Sequence, residues 1–151
     1  WGWTWIDDAP WGYAVSHYGR WANLDGTWAW VPGPRRTRAY YAPALVAFIG
    51  GDNFQISLSL GGGDVGGVAW VPLAPREVYR PVYPVSRDYY ENLNRSNTVI
   101  NNTVIQNTYN TTNITQVVYA NRSVPGAVVA VPRTAFEQSK PVAKAMVKVS
   151  R

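Results

Sequence analysis

The chain has 151 residues, 46% hydrophobic and 15% charged, with a net charge of +5: enough for one ordinary domain and too short for two large ones. It contains no Cys, which excludes disulfides, thiolate metal sites and a Cys nucleophile, and it has no apolar run near the roughly 20 residues needed to span a bilayer. Its 8 Trp and 10 Tyr against 3 Phe suit a small core with wet edges, or an interface, because both side chains bury a large area while keeping a polar atom. The opening residue is Trp rather than Met, which reads as a processed or truncated N-terminus. Residues 1–86 carry six Arg against six acids and are neutral, so the basic excess lies after residue 86, where Lys140, Lys144 and Lys148 all sit. That is a basic tail on a neutral domain, a distribution that argues against a nucleic-acid groove.

In chain order, Trp1, Trp3 and Trp5 alternate, as do Trp28 and Trp30, and period-two spacing places each set on one face of a strand. "NLDGTW" puts Asp25-Gly26 between apolar runs and predicts a hairpin of strands 20–23 and 27–31, stopped by "VPGP". "APALVAFIGG" reads as a short strand closed by glycines. "FQISLSL" alternates Phe54, Ile56, Leu58 and Leu60 against polar residues, and "VAWVPL" returns after the turn "GGGDVGG". "APREVYRPVYPVS" is an extended Pro-rich strap, and "SRDYYENLN" supports one helical turn capped by Ser86.

From about residue 92 to 121 the composition shifts to Asn and Thr alternating with Val, Ile and Tyr, and "NTVI" occurs twice, at Asn97 and Asn102. Such a segment cannot build its own core, and it is expected to be either disordered or extended and docked. The end of the chain reads as a turn, an apolar stretch, a short helix at 134–139 with Thr134 and Glu137 in a capping box, and a Lys-bearing terminus.

Few residues carry a chemical signal. His17 is the only imidazole and reads as a structural donor between strands. Asp7-Asp8 reads as a turn before Pro10, since neighbours on a strand point to opposite faces. "GGGDVGG" lacks the Lys and helix of a phosphate cradle, and "PRRTR" reads as a solvated loop, with an anionic polymer or lipid headgroup as an alternative use. Arg76 and Glu77 read as an ion pair or part of a polar network. The Trp/Tyr array is either core or, in an exposed subset, a binding face.

Together, "WGYAVSHYGRW", "WAWVPG", "YAPALVAFIGG" and "WVPLAPREVYRPVY" resemble a family of Trp/Tyr-rich bacterial proteins of unknown function, some of them called FecR-like. The matching positions are Trp11, Gly12, Tyr13, His17, Tyr18, Gly19, Arg20 and Trp21, then Pro75, Arg76, Glu77 and Tyr79, with Val15-Ser16 as a departure. The resemblance implies an exported protein of the bacterial envelope or surface and no enzyme activity.

The reading is a mainly β protein: a small antiparallel barrel or sandwich of two hairpins over 1–86, a long extended arm with at most short helices over 87–123, and a basic segment over 124–151. Trp21, Trp28 and Trp30 belong mainly to the core. The expected role is non-enzymatic and extracytoplasmic, a structural protein whose arm contacts another copy or an envelope partner, even to a filament. The alternative is a module that binds glycan or peptidoglycan on an aromatic face. Candidate contact residues are Trp1, Trp3, Trp5, Tyr18, Tyr40, Tyr41, Val99, Ile100, Val104, Ile105, Tyr109 and Ile114. No catalytic residue, cofactor or metal ligand is identified.

Overall fold

The computed structural model describes residues 3–49, 55–60, 63–110 and 117–149, with the side chains of 55–57, 59–60 and 63–65 left aside. The chain divides into two compact units, Trp1–Val46 with Pro72–Asn113 and Ala47–Val71 with Ile114–Arg151. The fold is mixed rather than mainly β: six strands form two small sheets, accompanied by short helices, with no closed barrel among the described residues.

The first unit begins with irregular chain. Trp3 and Trp5 are not on a strand; Trp5 donates its backbone N–H to the Pro43 carbonyl (3.0 Å) and its indole N–H to Asp7 (3.0 Å). Asp7 also accepts the Ala9 N–H (2.8 Å), so it builds the expected turn. Helix α1 follows, Gly12–His17. Strands β1 (Arg20–Leu24) and β2 (Thr27–Val31) then pair antiparallel, with Leu24 opposite Thr27. The turn between them is the predicted one: Asp25 and Gly26 both have positive φ (50° and 88°), the backbone a two-residue hairpin needs. Trp28 and Trp30 are less buried than expected. Trp28 is exposed, while Trp30 is half-buried and, like Trp21, donates its indole to a backbone carbonyl: Trp30 to Tyr18 (2.8 Å), Trp21 to Val15 (3.1 Å).

Two helices occupy most of residues 87–110 of this unit. Helix α2, Arg87–Asn97, is capped by Ser86, whose hydroxyl accepts the Tyr89 N–H (3.2 Å). It runs almost three turns instead of one because its buried stripe is Tyr90, Leu93, Asn94 and Asn97, spaced as a helix face requires. Asn94 is fully buried and uses both ends of its amide: Oδ1 accepts from Tyr79 N (2.7 Å) and Arg20 Nη2 (3.3 Å), and Nδ2 donates to the carbonyls of Tyr79 (3.1 Å) and Tyr90 (3.0 Å). Helix α3, Asn102–Asn110, packs Ile105 against Val78 and Tyr90. The expected extended arm is therefore corrected over 87–110: polar residues hold core positions because the backbone they meet satisfies them.

The second unit contains a four-stranded sheet in which β5 (Gly63–Pro72) is the hub, pairing with β3 (Val46–Ile49), β4 (Gln55–Leu60) and β6 (Val129–Pro132). The β4–β5 hairpin is the second one predicted, in antiparallel register with Gln55 opposite Val68, and β5 starts inside the glycine run. Its core is Leu58, Ala69 and Ala130, with Ile49, Val128 and Val147 around them. Phe48, Trp70 and Phe136 form a ring cluster with centroids 6.2–6.4 Å apart. A 3₁₀ turn (Ala120–Ser123) and helices α4 (Arg133–Glu137) and α5 (Val142–Ala145) complete it. The expected capping box does not form, since α4 starts after Pro132 and Glu137 instead accepts from Arg133 Nε (2.7 Å).

Candidate functional site

The residues of α1 and the 40–41 segment assemble an aromatic stack in the first unit. His17 is buried at the end of α1, where its Nδ1 donates to the Ala42 carbonyl (2.7 Å). The Ala42 N–H in turn donates to the His17 carbonyl (3.3 Å), so ring and backbone are both fixed. On the imidazole lies Tyr41, near-parallel with centroids 4.6 Å apart, and Tyr13 follows, 5.0 Å from His17 and 6.4 Å from Tyr41. Tyr18 meets Tyr41 edge-on at 6.2 Å. Tyr13 is the outer member at 63% exposure, so an immobilised inner ring supports a ring that faces water.

The array continues through backbone and rings. Tyr89 donates its hydroxyl to the Tyr41 carbonyl (2.6 Å), and its ring meets Tyr40 edge-on at 6.4 Å. Burial raises the phenol pKa of Tyr18, Tyr41, Tyr83 and Tyr89, and pushes Tyr79 up to about 12. These hydroxyls are neutral hydrogen-bonding groups at neutral pH rather than nucleophiles. Tyr83, Ser86 and Tyr89 line a cleft of about 290 Å³.

In the same unit Arg20 is only 1% exposed. Its guanidinium donates to the carbonyls of Glu77 (Nε 3.2 Å, Nη2 2.9 Å) and Gly19 (2.9 Å) and to Asn94. Burial lowers its pKa to about 10, with Glu77 and Tyr79 opposing that shift. Glu77 belongs to this polar network and its carboxylate accepts the Ala74 N–H (2.8 Å), whereas the Arg76 side chain is exposed. Among the described residues no group of three His, Cys, Asp or Glu is placed to hold a metal ion.

Of the candidate contact residues, Tyr18 and Tyr41 come together, and Tyr40 joins them through Tyr89. Trp3 is exposed and Trp5 half-buried. Val99, Val104 and Tyr109 are exposed, although Tyr109 also packs on Tyr90 with centroids 5.0 Å apart. Ile100 is partly buried against the Val78–Tyr90–Ile105 cluster. Ile105 is a correction: at 0% exposure it fills the unit's own core and is not a surface for another chain. Trp1 and Ile114 lie outside the described residues. Sequence reasoning missed Tyr13 and gave His17 only a tie between strands. Their i,i+4 spacing is the signal that, once 12–17 is helical, stacks the two rings.

A mixed α/β architecture with a buried guanidinium and a tyrosine–histidine face defines a small aromatic-faced module without a recognisable catalytic constellation among its described residues. The chain belongs to a family of unknown function, DUF6600, whose profile matches residues 1–77. No curated protein and no solved structure matches it. No described helix is long and apolar enough to cross a membrane.

Proposed function

We propose that the protein is a non-enzymatic binding module of the bacterial envelope that takes a glycan of the cell wall on the Tyr13–His17–Tyr41 face. The observation that carries this reading is the exposed Tyr13 ring lying against a stack whose inner member is fixed by a buried hydrogen bond. A flat ring held in place offers an apolar face to the apolar face of a sugar at little entropic cost, and neutral tyrosine hydroxyls supply hydrogen bonds at its edge. The placement in the envelope rests on the resemblance of the Trp/Tyr motifs to exported bacterial proteins. The absence of a role in catalysis is supported by His17, whose ring is buried and engaged with a backbone carbonyl. Titration with soluble peptidoglycan fragments and other wall oligosaccharides, followed by intrinsic fluorescence, tests the reading. Saturable binding is expected, weakened about tenfold or more by Tyr13→Ala, the loss of one good aromatic contact, and retained by Tyr13→Phe. Equal binding by Tyr13→Ala, or none across the panel, defeats it.

A second reading, association between copies of the chain, is favoured by the exposed apolar side chains of Val99, Val104 and Tyr109 along the Asn-rich region. Light scattering on the full chain tests it, with Val104→Asp expected to abolish any oligomer; a monodisperse monomer at high concentration removes it.

A further inference from the structure

The turn at 34–38 carries Arg35, Arg36 and Arg38, all exposed, with no acid from residue 33 to 41. It is not a loose loop. At its start, Gly33 lies so close to the Ser96 carbonyl that an added methyl would collide with backbone. At its end, Tyr40 donates its N–H to Ser96 Oγ (3.2 Å) and accepts from Asn97 Nδ2 (3.0 Å) at its carbonyl. Ser96 and Asn97 are themselves buried in the last turn of α2. Between these clamps Arg36 is held at φ 69°, the left-handed region that non-glycine residues avoid.

Beside this turn opens a cleft of about 460 Å³, lined by Pro34 and Thr37 on one side and by Asn92, Arg95, Thr98 and Val99 of the α2 end on the other. Thr98 Oγ1 accepts the backbone N–H of Arg76 (2.9 Å), which brings the start of another exposed arginine to the cleft. On α2, Glu91 is shared between Arg87 (2.9 Å) and Arg95 (3.8 Å), and Arg95 also reaches Asn92 (3.2 Å). The carbonyls at the end of α2 are partly covered: Leu93 accepts from Ser96 Oγ (3.1 Å) and Asn97 Nδ2 (2.8 Å), which lessens the negative field there.

We propose that this cleft is an anion site for a phosphate-bearing ligand. Arg95 supplies a guanidinium within the lining and Arg35, Arg36 and Arg38 lie on the adjoining turn; guanidinium groups match phosphate oxygens with paired donors, the hydroxyls of Thr37 and Thr98 and the amide of Asn92 add neutral donors, and clamping the turn lowers the entropy lost on binding. Val99 and Pro34 give the apolar margin that the body of a phosphate ester would touch. The site is separate from the Tyr13 face and does not depend on it.

The test uses the full chain and two probes: inorganic phosphate, followed by backbone amide shifts at Thr37, Arg38 and Thr98, and sedimentation with vesicles of phosphatidylglycerol in phosphatidylcholine against phosphatidylcholine alone. Saturable phosphate shifts without vesicle preference assign a free phosphate or phosphomonoester; anionic-vesicle binding without phosphate saturation assigns a lipid headgroup. Either supports the site provided that Arg36→Gly and Arg95→Ala each weaken it about tenfold, as loss of a charge-assisted contact should. Arg36→Gly removes the charge while keeping a residue that accepts the left-handed backbone, so the turn survives. Tyr13→Ala is expected to leave phosphate and vesicle binding unchanged. No response to either probe overturns the proposal, as does anionic-vesicle binding undiminished in Arg36→Gly and Arg95→Ala, which is the outcome expected if the C-terminal lysines attract the surface without a site.

Discussion

Arg20, 1% exposed, is among the largest fully buried side chains of the first unit, and it is held by two backbone carbonyls and the amide of Asn94. In the second unit one core cluster is Leu58, Ala69 and Ala130 with Ile49, Val128 and Val147 around them, and Phe48, Trp70 and Phe136 form a separate ring cluster. The first unit thus adds to its apolar Val78–Tyr90–Ile105 cluster a set of buried polar groups that must all be satisfied together, whereas the described core of the second rests on apolar contact that tolerates changes of shape if volume is kept. The difference teaches where single substitutions will be most damaging. In the polar interior, removing one partner strands the others; in the apolar one, the neighbours can adjust.

The largest effect is expected at Asn94. Asn94→Ala deletes four hydrogen bonds, leaves the Tyr79 N–H and carbonyl without that partner, and takes one acceptor from a buried guanidinium. A loss of about 3–5 kcal/mol is expected, as for breaking a buried charged network. Urea unfolding gives the magnitude, and hydrogen exchange resolved by segment should place the lost protection in 76–97. A loss below about 1 kcal/mol, the size of an ordinary single hydrogen bond, would break the contrast between the units.

A next, smaller effect probes the apolar side. A Cβ added at Gly67 would collide with the Leu58 side chain, so Gly67→Ala overpacks the β4–β5 hairpin and should cost about 1–3 kcal/mol. Leu58→Ala removes the atoms in the way. The double variant is therefore expected to be more stable than the sum of the two single losses, measured by a double-mutant cycle. Strict additivity would mean that the second unit does not repack as an apolar interior should.

The same contrast explains what was legible in the sequence. Both hairpins were, because Asp25-Gly26 and the alternation around Leu58 are local signals that tertiary structure leaves in place. Helix α2 was legible only at its Ser86-capped start, because Asn94 and Asn97 occupy positions where periodicity looks for apolar residues, and only the backbone across from them makes those positions interior. The repeated "NTVI" makes the point within one unit: the first copy ends α2, with Thr98 extended, while the second lies inside α3. The aromatic face was half legible. The tyrosines were visible as a group, but Tyr13 joins His17 only through the helix that brings residues four apart together.

Alkaline titration sharpens the comparison on the polar side. Burial raises the phenol pKa of Tyr79 to about 12 and also raises those of Tyr83 and Tyr89. Above pH 10 the unfolded chain loses these protons while the folded unit keeps them, so stability falls as pH rises from 10 through the folded values. Arg20 has the opposite sign: its lowered folded value, about 10, means that above that pH the unfolded state binds more protons until its own guanidinium titrates, and stability rises there. Three raised phenols outweigh one guanidinium, so the unfolding midpoint is expected to drop between pH 9 and 12. Tyr83→Phe should shallow that slope; an unchanged slope would show that the Tyr83 phenol does not contribute to it.

The smallest effect belongs to the shortest ion pair. Arg133 and Glu137 approach to 2.7 Å on α4, closer than any contact Arg20 makes, yet both are 51% exposed. Water already solvates both charges in the unfolded chain and screens them in the folded one, while holding two long side chains together costs entropy. Arg133→Ala is therefore expected to change stability by no more than about 0.5 kcal/mol, and less in high salt. Arg20 differs not in distance but in having no water to fall back on. If Arg133→Ala proved as costly as Asn94→Ala, proximity rather than burial would govern these polar contacts, and the difference between the two units would lose its physical basis.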